Sequence, residues 1–92
     1  MHALLVSVTI EPGHDADAQA QLETNVVPMA KQAPGVISGA WTRSSDGQHG
    51  SSFVLFENED AAQAAKDMIP NTPRPDFLTF DSIEVREVVA HF

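Results

Sequence analysis

Hydrophobic and polar positions alternate through Gly35–Asn58 in a way that leaves neither side of the segment polar. Read as two strands joined by a turn centred on Asp46-Gly47, the stretch sets Ser45 against Gln48, Trp41 against Ser52 and Val36 against Glu57. Asp-Gly suits a type I′ turn, in which both central residues take positive φ. One side of the ribbon then carries Ile37, Trp41, Val54 and Phe56, and the other Val36, Ala40, Phe53 and Leu55. A hairpin apolar on both faces needs cover on both.

The flanking segments supply part of that cover. His2–Ile10 alternates as a strand, with Leu4, Val6, Val8 and Ile10 on one side and the milder set Ala3, Leu5, Ser7 and Thr9 on the other. Glu11-Pro12-Gly13 breaks it. A helix is expected from Asp15, as N-cap, to about Ala33, with Asp17 complementing its positive end. Ala18, Leu22, Val26, Met29 and Ala33 form its apolar stripe, and Pro28 inside it removes a backbone hydrogen bond and predicts a kink. Such a kink curves the helix onto a sheet or widens a helix–sheet gap into which a ligand fits. Asn58 is expected to cap a second, alanine-rich helix with Ala61, Ala65, Met68 and Ile69 as its stripe. Pro70–Pro75 reads as a stiff loop that extends towards Phe80, and about Ser82–His91 as the last strand.

The order β-α-β-β-α-β is a split βαβ arrangement, and the right-handed crossover rule places both helices on one face of a four-stranded antiparallel sheet ordered 4-1-3-2. Two short helices leave the other, still apolar, face open. A patch of several hundred Å² is uncommon on a monomer. A second copy packed sheet to sheet about a two-fold axis is the simplest cover, so the pattern predicts a homodimer.

Composition narrows the partners. The 92 residues make one domain, 1–92, and 42% of them are hydrophobic, which argues for a folded core. Thirteen acids against five Lys and Arg give a net charge of −8, with Lys31, Arg43, Lys66, Arg74 and Arg86 scattered. No basic stripe suits nucleic acid, and an anionic membrane surface is disfavoured for the same reason. No apolar run approaches the ~20 residues of a membrane span. The N-terminus reads as a strand and not a leader, so the cytoplasm is the expected location. Without cysteine there is no disulfide, thiol nucleophile or thiolate metal site.

Candidate chemistry is sparse. Trp41, the only indole, is either packing or a stacking wall for a flat ligand. Arg43, on the same side two residues on, would meet an anionic substrate group; otherwise it is a solvated strand-end arginine. His49, beside the hairpin tip, has the near-neutral acid/base chemistry of imidazole but no evident partner. His2 and His91 would come together if Ile10 lay near Ile83, yet two imidazoles without a third ligand do not make a metal site. His14, at the helix start, is expected in solvent. Arg86, mid-strand, calls for a carboxylate such as Glu84 or Glu87. No phosphate loop, nucleophile elbow or paired-acid motif is present.

Three passages, VVPMAKQAPGV, GVISGAWTR and FVLFENEDAAQAA, resemble the dimeric α+β barrel superfamily, most nearly small proteins of the antibiotic-biosynthesis-monooxygenase type, over essentially the whole chain. The resemblance implies a ferredoxin-like protomer, sheets paired into a barrel, and a ligand pocket between sheet and helices. It also implies, as one reading, a monooxygenase acting without metal or flavin on a small hydrophobic aromatic or polyketide-like molecule, with Trp41, Arg43 and His49 as candidate ligand-binding residues. The other reading is a non-catalytic homodimer that binds a small ligand or stabilises a partner. Haem, known in the superfamily, would require a histidine facing the helix–sheet cleft. Oxygenases of the type use Asn, Trp, Tyr, His and Arg in their pockets; this chain has no Tyr, and no catalytic residue is carried over.

Overall fold

A computed structural model covers residues 1–92. Strand β1 (His2–Ile10) leads through Glu11–His14 into a helix in three parts: α1 (Asp15–Gln21), a π-helical turn (Leu22–Val26) and α2 (Val27–Lys31). Strands β2 (Val36–Arg43) and β3 (His49–Phe56) form the hairpin; α3 (Glu59–Met68), a 3₁₀ turn (Ile69–Asn71) and β4 (Leu78–Glu87) complete the chain. The sheet is antiparallel in the order β2-β3-β1-β4, which is the ferredoxin-like arrangement expected from the pattern. No helix is long and apolar enough to cross a membrane.

The π turn has a covalent cause. Pro28 has no N–H to return to Thr24, and its ring crowds that carbonyl, so the turn before it opens to a wider hydrogen-bonding pattern. The helix ends at Lys31 and not at Ala33; Pro34-Gly35 then turns the chain, with Gly35 at φ 78° and its carbonyl accepting from Glu57 N at 2.8 Å. At the helix start the N-cap is His14 and not Asp15, which is already helical. Its imidazole is not free in solvent either. It stacks on Phe77 (ring centroids 4.8 Å apart, planes 10° apart), and Nδ1 lies 2.9 Å from Asp17 Oδ2. Asn58 does cap α3, its Oδ1 accepting from Ala61 N at 2.9 Å. Ala62 is completely buried, which brings α3 close to the sheet, while Met68 of the expected stripe stays exposed.

The hairpin register holds from Arg43 opposite Gly50, through Trp41 opposite Ser52, to Ser38 opposite Leu55. It then slips: Val36 faces Phe56 and not Glu57, because Ile37 is bulged out. The bulge turns Val36 onto the helix side beside Phe56, and leaves Ile37 exposed. At the tip only Gly47 has positive φ, so the turn is not type I′. Gly47 N donates to the Ser44 carbonyl at 3.0 Å and Ser44 N to the His49 carbonyl at 2.8 Å, giving a four-residue loop. Asp46 Oδ1 holds it by accepting from Ser44 Oγ (2.6 Å) and Gln48 N (2.9 Å). Those two hydrogen bonds, the Ser44 one foremost, hold the Asp46 carboxyl below its ordinary value.

Strand β4 begins four residues earlier than the alternation suggested, and a bulge between its pairs with Ser7 and Val8 leaves Asp81 as the extra residue. Thr9 Oγ1 donates to that carboxylate at 2.7 Å. Ile10 consequently faces Leu78, and His2 faces Glu87; His91 lies beyond the strand, so no histidine pair forms. Arg86 is exposed on the open face and pairs with Glu84. The tail after β4 returns over that same face, where Val88 N donates to the Met1 carbonyl at 3.0 Å. Val88, Ala90 and Phe92 border a groove of about 390 Å³ with Ala3, Phe53 and Leu55.

Candidate functional site

Burial along the central strand locates the site. The helix-facing residues of β1 read Leu4 buried, Val6 and Val8 half-buried, Ile10 buried. On a central strand covered by helices all four would be buried. The core is therefore gathered at two ends. Leu4, Val54, Phe56 and Ala62 form the main cluster, and Ile10 and Ala18 close the other end. Between Ala18 and Ala33 the first helix buries no side chain, and this is the stretch that contains the π turn and Pro28.

The pairing gives the floor of the resulting trough. One cross-strand row runs Trp41–Ser52–Val6–Ile83, and the next Arg43–Gly50–Val8–Phe80. Side chains alternate along each strand, so these eight positions share the helix side. Small residues on β3, Ser52 and Gly50, keep the middle shallow. Gly50 leaves room for Val8, since a Cβ there would stand 3.0 Å from Val8 Cγ2. At the β4 edge, Phe80 and Ile83 of these rows also line a cleft of about 410 Å³ with Ile69, Pro70, Thr72 and Arg74.

Of the three candidate ligand residues, the fold brings two together. Trp41 stands at the β2 edge of the first row, its ring over Gly39, where a Cβ would meet Trp41 Cη2 at 3.1 Å. It also packs on the main cluster, so it is both core and edge. Arg43 stands in the next row, where Nη1 donates to Gln19 Oε1 at 3.1 Å and the buried Nε has no partner. His49 is opposite Thr9, exposed, on the other face of the sheet. Sequence reasoning missed Ile83 and Phe80 as the neighbours of Val6 and Val8, and the Pro70–Arg74 loop beside Phe80 and Ile83. The alternation of Leu78 and Phe80 was the available signal.

No histidine lines either row. His2 is on the helix side, but at the main-cluster end, with Nε2 3.6 Å from Glu59 Oε2. With no cysteine or tyrosine in the chain, the trough offers no imidazole, thiolate or phenolate as an axial ligand, and its residues do not fit haem. Nor does any group of three His, Asp or Glu side chains come together to hold a metal ion.

No sequence-family model matches the chain, and no curated protein sequence does. Solved structures do. The haem-degrader MhuD of Mycobacterium tuberculosis, with two haems bound in its active site, superposes with a TM-score of 0.74 at 15% identity, over 100% of this chain and 99% of that one. SnoaB, a cofactor-independent oxygenase from Streptomyces nogalater, gives 0.71 at 15% identity over 98% and 95%. A Bordetella bronchiseptica protein assigned as an antibiotic biosynthesis monooxygenase gives 0.65 at 18% identity over 97% of both chains. At these identities the likeness is one of fold, the four-stranded antiparallel sheet and helices of the ferredoxin-like β-α-β-β-α-β arrangement.

Proposed function

We propose that this chain acts as a homodimer whose helix–sheet trough takes a small, flat, hydrophobic aromatic or polyketide-like molecule and promotes its oxygenation without metal or flavin. The observation that carries the reading is the half-buried stretch Val6–Val8 between two buried ends on the central strand. An apolar floor with a few polar groups at its margin is what a flat ligand requires. The fold shared with a cofactor-independent oxygenase and an assigned antibiotic biosynthesis monooxygenase supports the oxygenation step.

In this proposal the substrate supplies the electrons. A ring CH₂ flanked by carbonyl or phenolic groups loses a proton to solvent, and the resulting enolate faces the guanidinium of Arg43, whose partnerless Nε is a donor without an acceptor. The carbanion then gives electrons to dioxygen and forms a C–O bond. The peroxide takes up a proton and loses water, so CH₂ and O₂ become C=O and H₂O. Trp41 bounds the ring at the β2 edge.

The absence of any imidazole or phenol from the floor favours a second reading, binding without turnover. Oxygen uptake with a hydroxyanthrone separates the two. The first predicts saturable consumption of one O₂ per substrate above the spontaneous rate, reduced about a hundredfold by Arg43→Gln, in line with loss of one donor to a developing oxyanion. Saturable binding with uptake at the spontaneous rate would leave the binding reading alone, and no binding would remove both.

The dimer is proposed through the open sheet face. Leu5, Phe53 and Leu55 point there; Phe53 is 48% exposed, and neither helix reaches it.

A further inference from the structure

Arg74 is placed by the loop that carries it. Pro73 precedes it and Pro75 follows, so its backbone is held extended on both sides. Its guanidinium carbon lies 5.3 Å from the centroid of the Phe80 ring. Phe80 is a floor residue, next to Val8 in the second cross-strand row. In a chain with 13 acids, Arg74 makes no ion pair; the ion pairs present involve His2, His14 and Arg86. An unpaired cation is thus fixed over an aromatic floor, at the mouth of the cleft formed with Ile69, Pro70, Thr72 and Ile83.

We infer that Arg74 selects ligands with a carboxylate attached to an apolar ring system. The inference rests on the trough being a ligand site, and it adds the charge of the ligand and the end at which that charge sits. The ring lies along Phe80, Ile83 and the Val6–Val8 floor. The anion projects outward to the guanidinium, which already stands over Phe80 and needs no rearrangement to receive it. Neutral ligands of the same shape meet only the apolar part. The net charge of −8 disfavours anions over most of the rest of the surface, so the preference depends on the cation at this mouth.

The test uses the full chain and two probes of one shape, 2-naphthoate and 2-naphthamide, titrated into wild type, Arg74→Gln and Arg74→Lys. Amide chemical shifts of Ile69, Thr72, Phe80 and Ile83 report binding. Wild type is expected to bind naphthoate roughly two- to fivefold tighter than naphthamide, the range for an exposed charge pair. Arg74→Gln removes that preference by weakening naphthoate alone, Arg74→Lys keeps part of it, and 0.5 M salt diminishes it in wild type. Equal binding of the two probes by wild type overturns the inference while leaving the trough as a site. A preference that survives Arg74→Gln does the same, placing the anion elsewhere. Saturation by neither probe overturns the trough reading as well.

Discussion

The gap in the helix–sheet interface can be tested by making one substitution twice. Val6 and Val54 both face the helices, but Val54 is 7% exposed inside the main cluster, whereas Val6 is half-buried on the floor of the trough, at the edge of that cluster. Val54→Phe pushes a ring into a site walled by Leu4, Phe56 and Ala62. Overpacking of that kind costs about 1–3 kcal/mol. In a domain of this size each kcal/mol moves Tm by about 4–8 °C, so Val54→Phe is expected to lower Tm by about 4–24 °C. Val6→Phe has the trough to turn into. Its extra surface is covered at no cost in packing, and the change should stay within about 0.5 kcal/mol, or under about 4 °C. The same ring occupies ligand space, so Val6→Phe should weaken 2-naphthoate binding at least tenfold. Thermal unfolding by circular dichroism at one fixed protomer concentration gives the first comparison, and probe titration the second; fixing the concentration keeps any association term common to both. If Val6→Phe falls as far as Val54→Phe, the interface is closed at Val6 and there is no trough.

Three further outcomes are expected. Gly35→Ala places a Cβ 2.8 Å from Ala61 Cβ at a φ of 78°, and should cost about 2–4 kcal/mol from left-handed strain and overpacking together; Ala61→Gly in that background should return the overpacking share in a denaturant double-mutant cycle. Asp46 has a folded pKa depressed below its ordinary 3.8, so its contribution is present above that value and lost as pH falls through the folded one. The stability difference between wild type and Asp46→Asn should accordingly be flat at neutral pH and shrink only in acid, as followed by urea midpoints across pH. Phe53→Glu puts a charge on the open face, and light scattering should read one 9.9 kDa protomer where wild type gives two.

The order of elements, the strand order and most of the hairpin register were legible because alternation with period two survives wherever a strand is unbroken. Each bulge fell outside that reading for its own reason. Around Ile37 each side of β2 is apolar, so a one-residue slip exchanges one hydrophobic set for another and leaves no polar residue out of place. In β4 the helix-facing positions are Leu78 and Phe80 before Asp81, and Ile83 and Val85 after it. The phase changes mid-strand, the two halves look unrelated, and the first half reads as loop. The displaced start then carried the expected His2–His91 pair out of register. Arg43 and Trp41 could be placed on one side from spacing alone, whereas the face of His49 depended on where the tip stops being a turn.

The trough itself was not visible in hydrophobicity, because Val6 and Val8 look the same as Leu4 and Ile10. What separates them is the covering layer. The first helix is tied down near Ala18 at one end and near Ala33 at the other, and Pro28 forbids the regular bonding that would settle the middle turns on the sheet. The second helix lies close because its buried residue is Ala62, and it covers β1 fully at Leu4 but only in part at Val6, which packs on the edge of that cluster. Beyond that point the floor is Ser52, Gly50 and two valines, too short to fill the space beneath either helix. A proline in one helix, a small buried contact in the other and small residues on β3 are each ordinary alone. Stacked over the same two cross-strand rows, they leave the space that Arg43 and Arg74 border from opposite edges of the sheet.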